Sequence, residues 1–333
     1  MQTNDQGLRW LSAGLFIAAL VAALITAFGR LPTLPPAEVS RPPLAAPSAL
    51  SSQFSSGFLP KTGDSAATAS LAQLPDGRLL AAWVASTQEG GESSAIWFSR
   101  LGPSGWSPAQ IIANRESTAS GSFAHVRDVA YPQLYAEGSW LHLWYISTSI
   151  AGLGGRAIQH SVSTDAGLSW LKPNQLAISP SGIGHTALRS APMPLTDDGL
   201  ALPIFSGNAN QASAWLRLSA SGEVVDKIRP LSTIESAPAN VPFAQLRLRS
   251  GHLLRAGNPP GERNTLQLWI SSNEGKSWAS SKPIESAPDG GAEFSDPALL
   301  LGRNGLIHLA YTWRGQRIKH VAFSEAWLDA TAP

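Results

Sequence analysis

The sequence predicts an all-β protein built as a β-propeller, and three observations predict it. A turn ending in Gly and followed by alternating apolar residues recurs five times. No stretch of the body carries a helical period, while short period-two runs separated by Gly, Ser, Asn and Asp turns fill it. The repeats make modules of roughly 50 to 60 residues with four strand-sized segments each, and such small twisted sheets must bury both faces against their neighbours.

The N-terminus stands apart from this pattern. After a stub of residues 1–9, the 19 residues from Trp10 to Phe28 carry no charge and are flanked by Arg9 and Arg30. At about 1.5 Å per residue they nearly match a hydrocarbon core of about 30 Å, so residues 10–28 are expected to form a transmembrane signal-anchor. The alternative is a cleaved signal peptide, for which Ala27 and Gly29 have the right size. Both place the rest of the chain outside the cytoplasm. The expected location is the inner membrane, single-pass, with the body on the periplasmic or extracellular side. Residues 29–52 are rich in Pro and Ala and are expected to be an extended linker.

The body spans residues 53–330. Its turns end at Gly77, Gly138, Gly199, Gly251 and Gly305, and the residue six positions later is Trp83, Trp144, Phe205, Gly257 or Tyr311. An apolar run precedes each turn and a third strand follows each hairpin. Trp106, Trp170, Trp278 and Trp327 then close several modules. Five modules are clear. A sixth could be completed from residues around Phe54 to Leu59 and the interval between clear repeats, which leaves five or six blades open on the repeats alone.

Composition excludes several functions. With 24 Lys plus Arg against 23 Asp plus Glu, the chain has no broad field to track nucleic-acid phosphates. No Cys is present, which removes disulfides, thiolate metal sites and thiol nucleophiles. The seven His are scattered, and no Gly-rich phosphate loop follows a strand. No metal and no cofactor is expected.

Two turns carry a further signal. Ser163-Thr164-Asp165-Ala166-Gly167-Leu168-Ser169-Trp170 fits the Asp-box pattern, and Ser271-Ser272-Asn273-Glu274-Gly275-Lys276-Ser277-Trp278 fits it with Asn for Asp. Each directly follows the third strand of a module. The pair resembles the bacterial neuraminidase repeats of the sialidase superfamily, and the layout over roughly residues 55–328 is similar to its predicted-neuraminidase branch. The resemblance implies a six-bladed, sialidase-like β-propeller. Within the box, Asp165 is expected to stabilise its turn and take no part in catalysis.

Strand alternation puts the start of each innermost strand and the loop after each second strand on one face, and the Asp-box turns on the other. Aligning the apolar tetrapeptides before the turns makes Thr68, Asp128, Arg189, Asn240 and Phe294 equivalent at that mouth. Arg127, Tyr131, His185, Glu293 and Asp296 neighbour them, and second-strand loops add Glu89, Asn208, Asn258 and Arg314. A carboxylate substrate is held best by planar guanidinium forks, for which Arg189 and Arg314 are the candidates. Asp128 is the first candidate for general acid/base, followed by Glu293 and Asp296. Trp313 is the best sugar-stacking residue, and Asn240 and Asp296 complete the binding set. By resemblance to sialidases, Tyr131 with Glu293 would be the nucleophile and its activating partner. The family's N-terminal Arg-Ile-Pro element is not present, and Lys61 is the nearest basic residue.

The function expected is a membrane-tethered sialidase-like glycoside hydrolase acting on terminal acidic sugars, with an acidic glycan as partner and no nucleic acid. One alternative is a non-catalytic propeller that binds acidic polysaccharide during its assembly or export. The other is a uronate lyase on the same fold.

Overall fold

The structure, a computed structural model, describes residues 10, 12–23, 37–40, 50–87, 93–149, 155–178, 186–206, 214–228, 243–288 and 290–329. The chain divides into two units, Met1–Ala37 and Glu38–Pro333. In the first, residues 12–23 form helix α1 with Leu15, Phe16, Ile17, Leu20 and Val21 exposed. Among the described residues no helix is long and apolar enough to cross a membrane. Residues 11 and 24–28 of the span expected over 10–28 lie outside the described ones.

The second unit is an all-β propeller. Its first strand, β1 (Phe54–Phe58), does not open a blade of its own. The first blade is β2 (Ser65–Gln73), β3 (Leu79–Thr87), β4 (Ser93–Gly102), β5 (Gly105–Trp106) and β6 (Gln110–Ala113). Helix α2 (Arg115–Ser122) leads to the second, β7 (Val126–Glu137), β8 (Trp140–Ser149), β9 (Arg156–Ser163) and β10 (Asn174–Gln175). The third is β11 (Thr186–Ala187), β12 (Met193–Pro194), β13 (Leu200–Ser206), β14 (Ala214–Leu218) and β15 (Val224–Ile228). The fourth is β16 (Phe243–Arg247), β17 (Leu253–Gly257), β18 (Thr265–Ser271) and β19 (Ala279–Ser286). The fifth is β20 (Phe294–Leu301), β21 (Ile307–Trp313) and β22 (Arg317–Phe323), followed by helix α3 (Glu325–Asp329).

Among the described residues there are five sheets, all antiparallel between sequential strands, where the family resemblance implies six. The segment that could have completed a sixth blade is used elsewhere. β1 pairs with β22 from Phe54↔Phe323 to Phe58↔Lys319 and becomes the outer strand of the fifth blade. This joins the start of the propeller to its end and covers an otherwise open sheet edge.

The core lies between blades. Leu80, Ile96 and Phe98 of the first blade pack with Leu134, Leu143 and Tyr145 of the second. Trp144 and Ile158 of the second pack with Leu202 and Leu216 of the third. Leu254 and Leu268 of the fourth meet Leu309 and Tyr311 of the fifth, while Trp83 of the first meets Ala310 and Ile318 of the fifth. Trp83, Trp144 and Tyr311, six after three of the five turn glycines, are thus fully buried interblade anchors. Part of the expected linker is also paired: Val39 bridges to Leu195, with Ser40 N donating to Pro194 O at 2.8 Å.

Candidate functional site

Three innermost strands carry the same local distortion. The ladder of β2 shifts between Ala67 and Ala69, that of β7 between Ala130 and Gln133, and that of β20 between Ser295 and Ala298. Each irregularity holds a non-glycine residue at positive φ: Thr68 at 45°, Tyr131 at 55° and Asp296 at 49°. A β-branched or bulky residue in this region is strained, and such strain concentrates where side chains must be re-aimed. Thr68, Tyr131 and Asp296 are therefore the structural equivalents. The tetrapeptide alignment that set Asp128 and Phe294 beside Thr68 slips: the β7–β8 hairpin turns in two residues where β2–β3 takes five, and in β20 the tetrapeptide ends inside the strand at Leu300 where that of β2 ends past it at Leu74.

Asp296 is the centre of the cluster. Its Oδ2 accepts from the Ser295 hydroxyl at 3.1 Å and from the Thr312 hydroxyl at 3.4 Å, and Thr312 Oγ1 itself accepts the Thr68 amide at 3.3 Å. Burial raises the Asp296 pKa above the ordinary carboxylate value; the two hydroxyls, Arg189 and Arg263 pull against that rise. Residues of the third, fourth and fifth blades thus act on one carboxyl group, and the first blade reaches it only through Thr312.

The other candidates take varied places. Arg189, following β11, is half-buried with its guanidinium 5.8 Å from the Phe205 ring centre. Arg314 is an exposed turn residue at φ 55°, its amide donating to Glu293 O at 2.7 Å and its guanidinium 4.5 Å from the Trp313 ring. Trp313 meets Phe58 edge-on at 5.3 Å. Glu293 is exposed and ion-paired with Arg263. Asp128 has its Oδ1 on two backbone amides, Val129 N at 2.9 Å and Ser94 N at 3.2 Å, so its carboxylate ties the second blade to the first. Tyr131 packs into the core between the second and third blades. Asn240, like His185, Glu89 and Asn208, lies outside the described residues. Asn258 is buried and donates to Thr265 O and Phe294 O at 2.6 and 2.8 Å, fastening the fourth blade to the fifth.

Sequence reasoning missed Arg263 and Thr312. Arg263 sits in the loop after the second strand of the fourth blade, five residues beyond Asn258. Thr312 is buried within β21 and reveals itself only through its partner. A close Tyr–Glu contact does exist, but elsewhere: Tyr311 Oη donates to Glu285 Oε1 at 2.6 Å, and Lys319 pairs with the same carboxylate. Tyr311 is fully buried, and burial with the Glu285 contact pushes its hydroxyl pKa up, away from nucleophilic use.

The Asp boxes have the expected structural role. Asp165 accepts from Ser163 Oγ at 2.7 Å, Ser169 N at 2.9 Å and Ser169 Oγ at 2.5 Å, which holds its pKa down to about 2. Asn273 accepts from Ser271 Oγ and Ser277 N at 2.9 Å each and donates to Ser277 Oγ at 2.7 Å. The turn needs the oxygen and no charge. The His residues form two close pairs that their sequence separation hid: His142 Nδ1 lies 3.0 Å from His160 Nε2, and His308 Nδ1 lies 3.0 Å from His320 Nε2. Burial lowers all four pKa values. Among the described residues no group of three or more His, Asp or Glu side chains could hold a metal.

Comparison with known proteins agrees with this architecture. The profile of the BNR repeat-like domain matches residues 77–245. No curated protein matches the chain in sequence. Among solved structures, the NanB sialidase from Streptococcus pneumoniae superimposes with a TM-score of 0.55 at 10% identity, covering 81% of this chain and 70% of that one. A GH43_1 enzyme from Xanthomonas citri gives 0.52 at 12% identity, covering 80% and 89%. The Trypanosoma rangeli sialidase gives 0.51 at 12% identity, covering 81% of this chain; the chain spans 56% of that sialidase's length. At these identities the likeness is one of fold.

Proposed function

The chain belongs to the family of BNR repeat-like domains, and from that premise we propose that it is a sialidase-like glycoside hydrolase acting on terminal acidic sugars of glycans outside the cytoplasm, tethered through residues 10–28. The observation that carries the reading is Asp296, half-buried at the start of β20 under the Ser295 and Thr312 hydroxyls, with Arg189 and Arg263 close enough to act on it electrostatically. Two guanidinium groups suit a sugar carboxylate, which they bind through paired charge-assisted hydrogen bonds. A half-buried carboxyl group whose pKa is raised by that burial suits a general acid that protonates a departing glycosidic oxygen.

The two features are coupled. Arg189 and Arg263 lower the Asp296 pKa by favouring its charged form. A bound carboxylate would neutralise that pull, so the pKa of Asp296 would rise further when an anionic sugar occupies the arginines. Binding of the correct substrate thereby arms the acid. Arg314 and Trp313, which flank Glu293 and end β21, would then contact the sugar ring or its neighbour.

A second reading is favoured by Tyr131. Its packing between blades, and the engagement of Glu293 by Arg263, leave the proposed nucleophile pair without a contact among the described residues. That suits a propeller that binds acidic polysaccharide without cleaving it. Incubating the full chain with an aryl sialoside separates the two: release of the aryl alcohol, lost in Arg189→Ala, supports hydrolysis. Retained glycan binding with no release would leave the binding module. An ultraviolet-absorbing unsaturated product from a uronate polymer would mean a lyase.

A further inference from the structure

Four of the large apolar side chains that the propeller exposes lie on one turn or on the segments bonded to it. Leu168 and Leu171 are 70% and 63% exposed, and Trp140 and Ile111 are each 49% exposed. The turn that carries Leu168 is fixed against the segments that carry the others. Ala166 N donates to Ser139 O at 3.2 Å, beside Trp140, and Gln110 Nε2 donates to Gly167 O at 2.8 Å, beside Ile111. Leu171 follows the same turn, its amide donating to Val162 O at 2.8 Å.

The fold does not require apolar residues here. The second Asp-box turn has the same backbone, with Glu274 at φ 59° and Gly275 at 81° against Ala166 at 58° and Gly167 at 86°. At the matching positions it carries Glu274 for Ala166, Lys276 for Leu168 and Ala279 for Leu171. One copy of the turn shows Glu274 and Lys276 to solvent; the other keeps its single charge, Asp165, bonded within the turn and shows leucines to solvent. Basic groups border the apolar copy: Arg100 Nε donates to Ala166 O at 3.3 Å, Arg78 is close enough to act electrostatically on Arg100, and the exposed Lys172 follows Leu171.

We infer that this Asp-box face of the second blade docks on the surface of a phospholipid bilayer. Trp and Leu side chains rimmed by Lys and Arg match the membrane interface, where aromatic and aliphatic groups enter the acyl boundary and cations meet anionic headgroups. The inference rests on the tethering proposed above. Glu38–Ser40 are held by the third blade, so the free linker is residues 29–37, which reaches at most about 28 Å at about 3.1 Å per residue; a tethered body thus meets the bilayer at high effective concentration and a weak patch suffices. β7 and β20 begin at the opposite end of the sheets from the Asp-box turns, so docking by this face leaves Asp296 open to glycans beyond the membrane.

The absence of Cys makes the test direct. Leu168→Cys and Leu171→Cys in the full chain are labelled with an environment-sensitive fluorophore and reconstituted in phosphatidylethanolamine–phosphatidylglycerol vesicles with brominated acyl chains. Both labels are expected to shift to the blue and lose emission to the bromines, while a label at Gln316→Cys, in the exposed β21–β22 turn, is not. Adding Leu168→Lys, the residue the other turn carries, should relieve quenching at position 171 without changing sialoside turnover. A Leu168 label no more quenched than the Gln316 label overturns the inference. If a label at Ser12→Cys is quenched in that case, the tether stands and only the docking falls; if it is not, both fall.

Discussion

The Thr312 hydroxyl lies 3.4 Å from the Asp296 carboxylate and accepts the Thr68 amide on its other side, so a two-step chain of hydrogen bonds joins the first blade to the central acid of the fifth. Thr312 favours the charged form of Asp296, while burial favours the neutral one. Replacing Thr312 by Val removes a donor to the carboxylate, so the Asp296 pKa should rise. The alkaline limb of the sialoside pH–rate profile should then move to higher pH, with the acidic limb unmoved. An unchanged profile would show that another group supplies the proton.

Asp296→Asn keeps the shape of the site and removes the proton. Turnover should fall by about 100-fold or more, the usual contribution of a positioned acid. Affinity for the free acidic sugar, read by calorimetry, should stay or improve, because a negative charge has been removed beside the arginines. Equal losses in binding and turnover would assign Asp296 to structure.

Arg263 was not legible in the repeats, and its substitution is the sharper test of the anion site. Arg263→Met should weaken binding of the sugar acid by about tenfold, as expected for a charge-assisted hydrogen bond worth ~1.5 kcal/mol, and should leave a neutral analogue unaffected. Matching losses for both ligands would remove Arg263 from the site.

The His pairs predict how stability depends on acidity. Burial lowers His160 and His320 to about 3 and His308 to about 4, from an unfolded value of 6.5. Below pH 6.5 the unfolded chain takes up protons that the folded chain refuses, so stability is complete above that pH and falls as acid is added. Thermal unfolding should show Tm dropping already between pH 6.5 and 5, ahead of ordinary carboxylates. A flat Tm over that interval would contradict the neutral pairs.

The Asp box should separate stability from binding. Asp165→Asn reproduces the turn already built around Asn273 and should leave Tm unchanged, whereas Asp165→Ala strips three acceptor contacts and should lower it. Sugar affinity should be the same in all three proteins; a selective loss in the Ala variant would place this turn at the binding face.

Much of the architecture was legible because its causes are local. Period-two alternation, the turn glycines and the aromatic residue six positions on set the hairpins, and the burial of Trp83, Trp144 and Tyr311 follows from that spacing. The Asp-box spacing likewise specified its own hydrogen bonds. Tyr131 and Asp128 show where this reasoning ends, since both lie at the expected strand start, yet one side chain is packed in a core and the other is spent on backbone amides.

The sequence alone determined that this chain forms a β-propeller with Asp-box turns, because alternation and turn chemistry act between near neighbours. Only the tertiary structure decided that β1 closes the fifth blade, and that Arg189, Arg263 and Thr312 act on Asp296. Those relations join residues as much as 269 positions apart, Phe54 and Phe323 among them. Whether two such groups meet depends on the length of every hairpin and the place of every bulge between them, which patterning among near neighbours does not set.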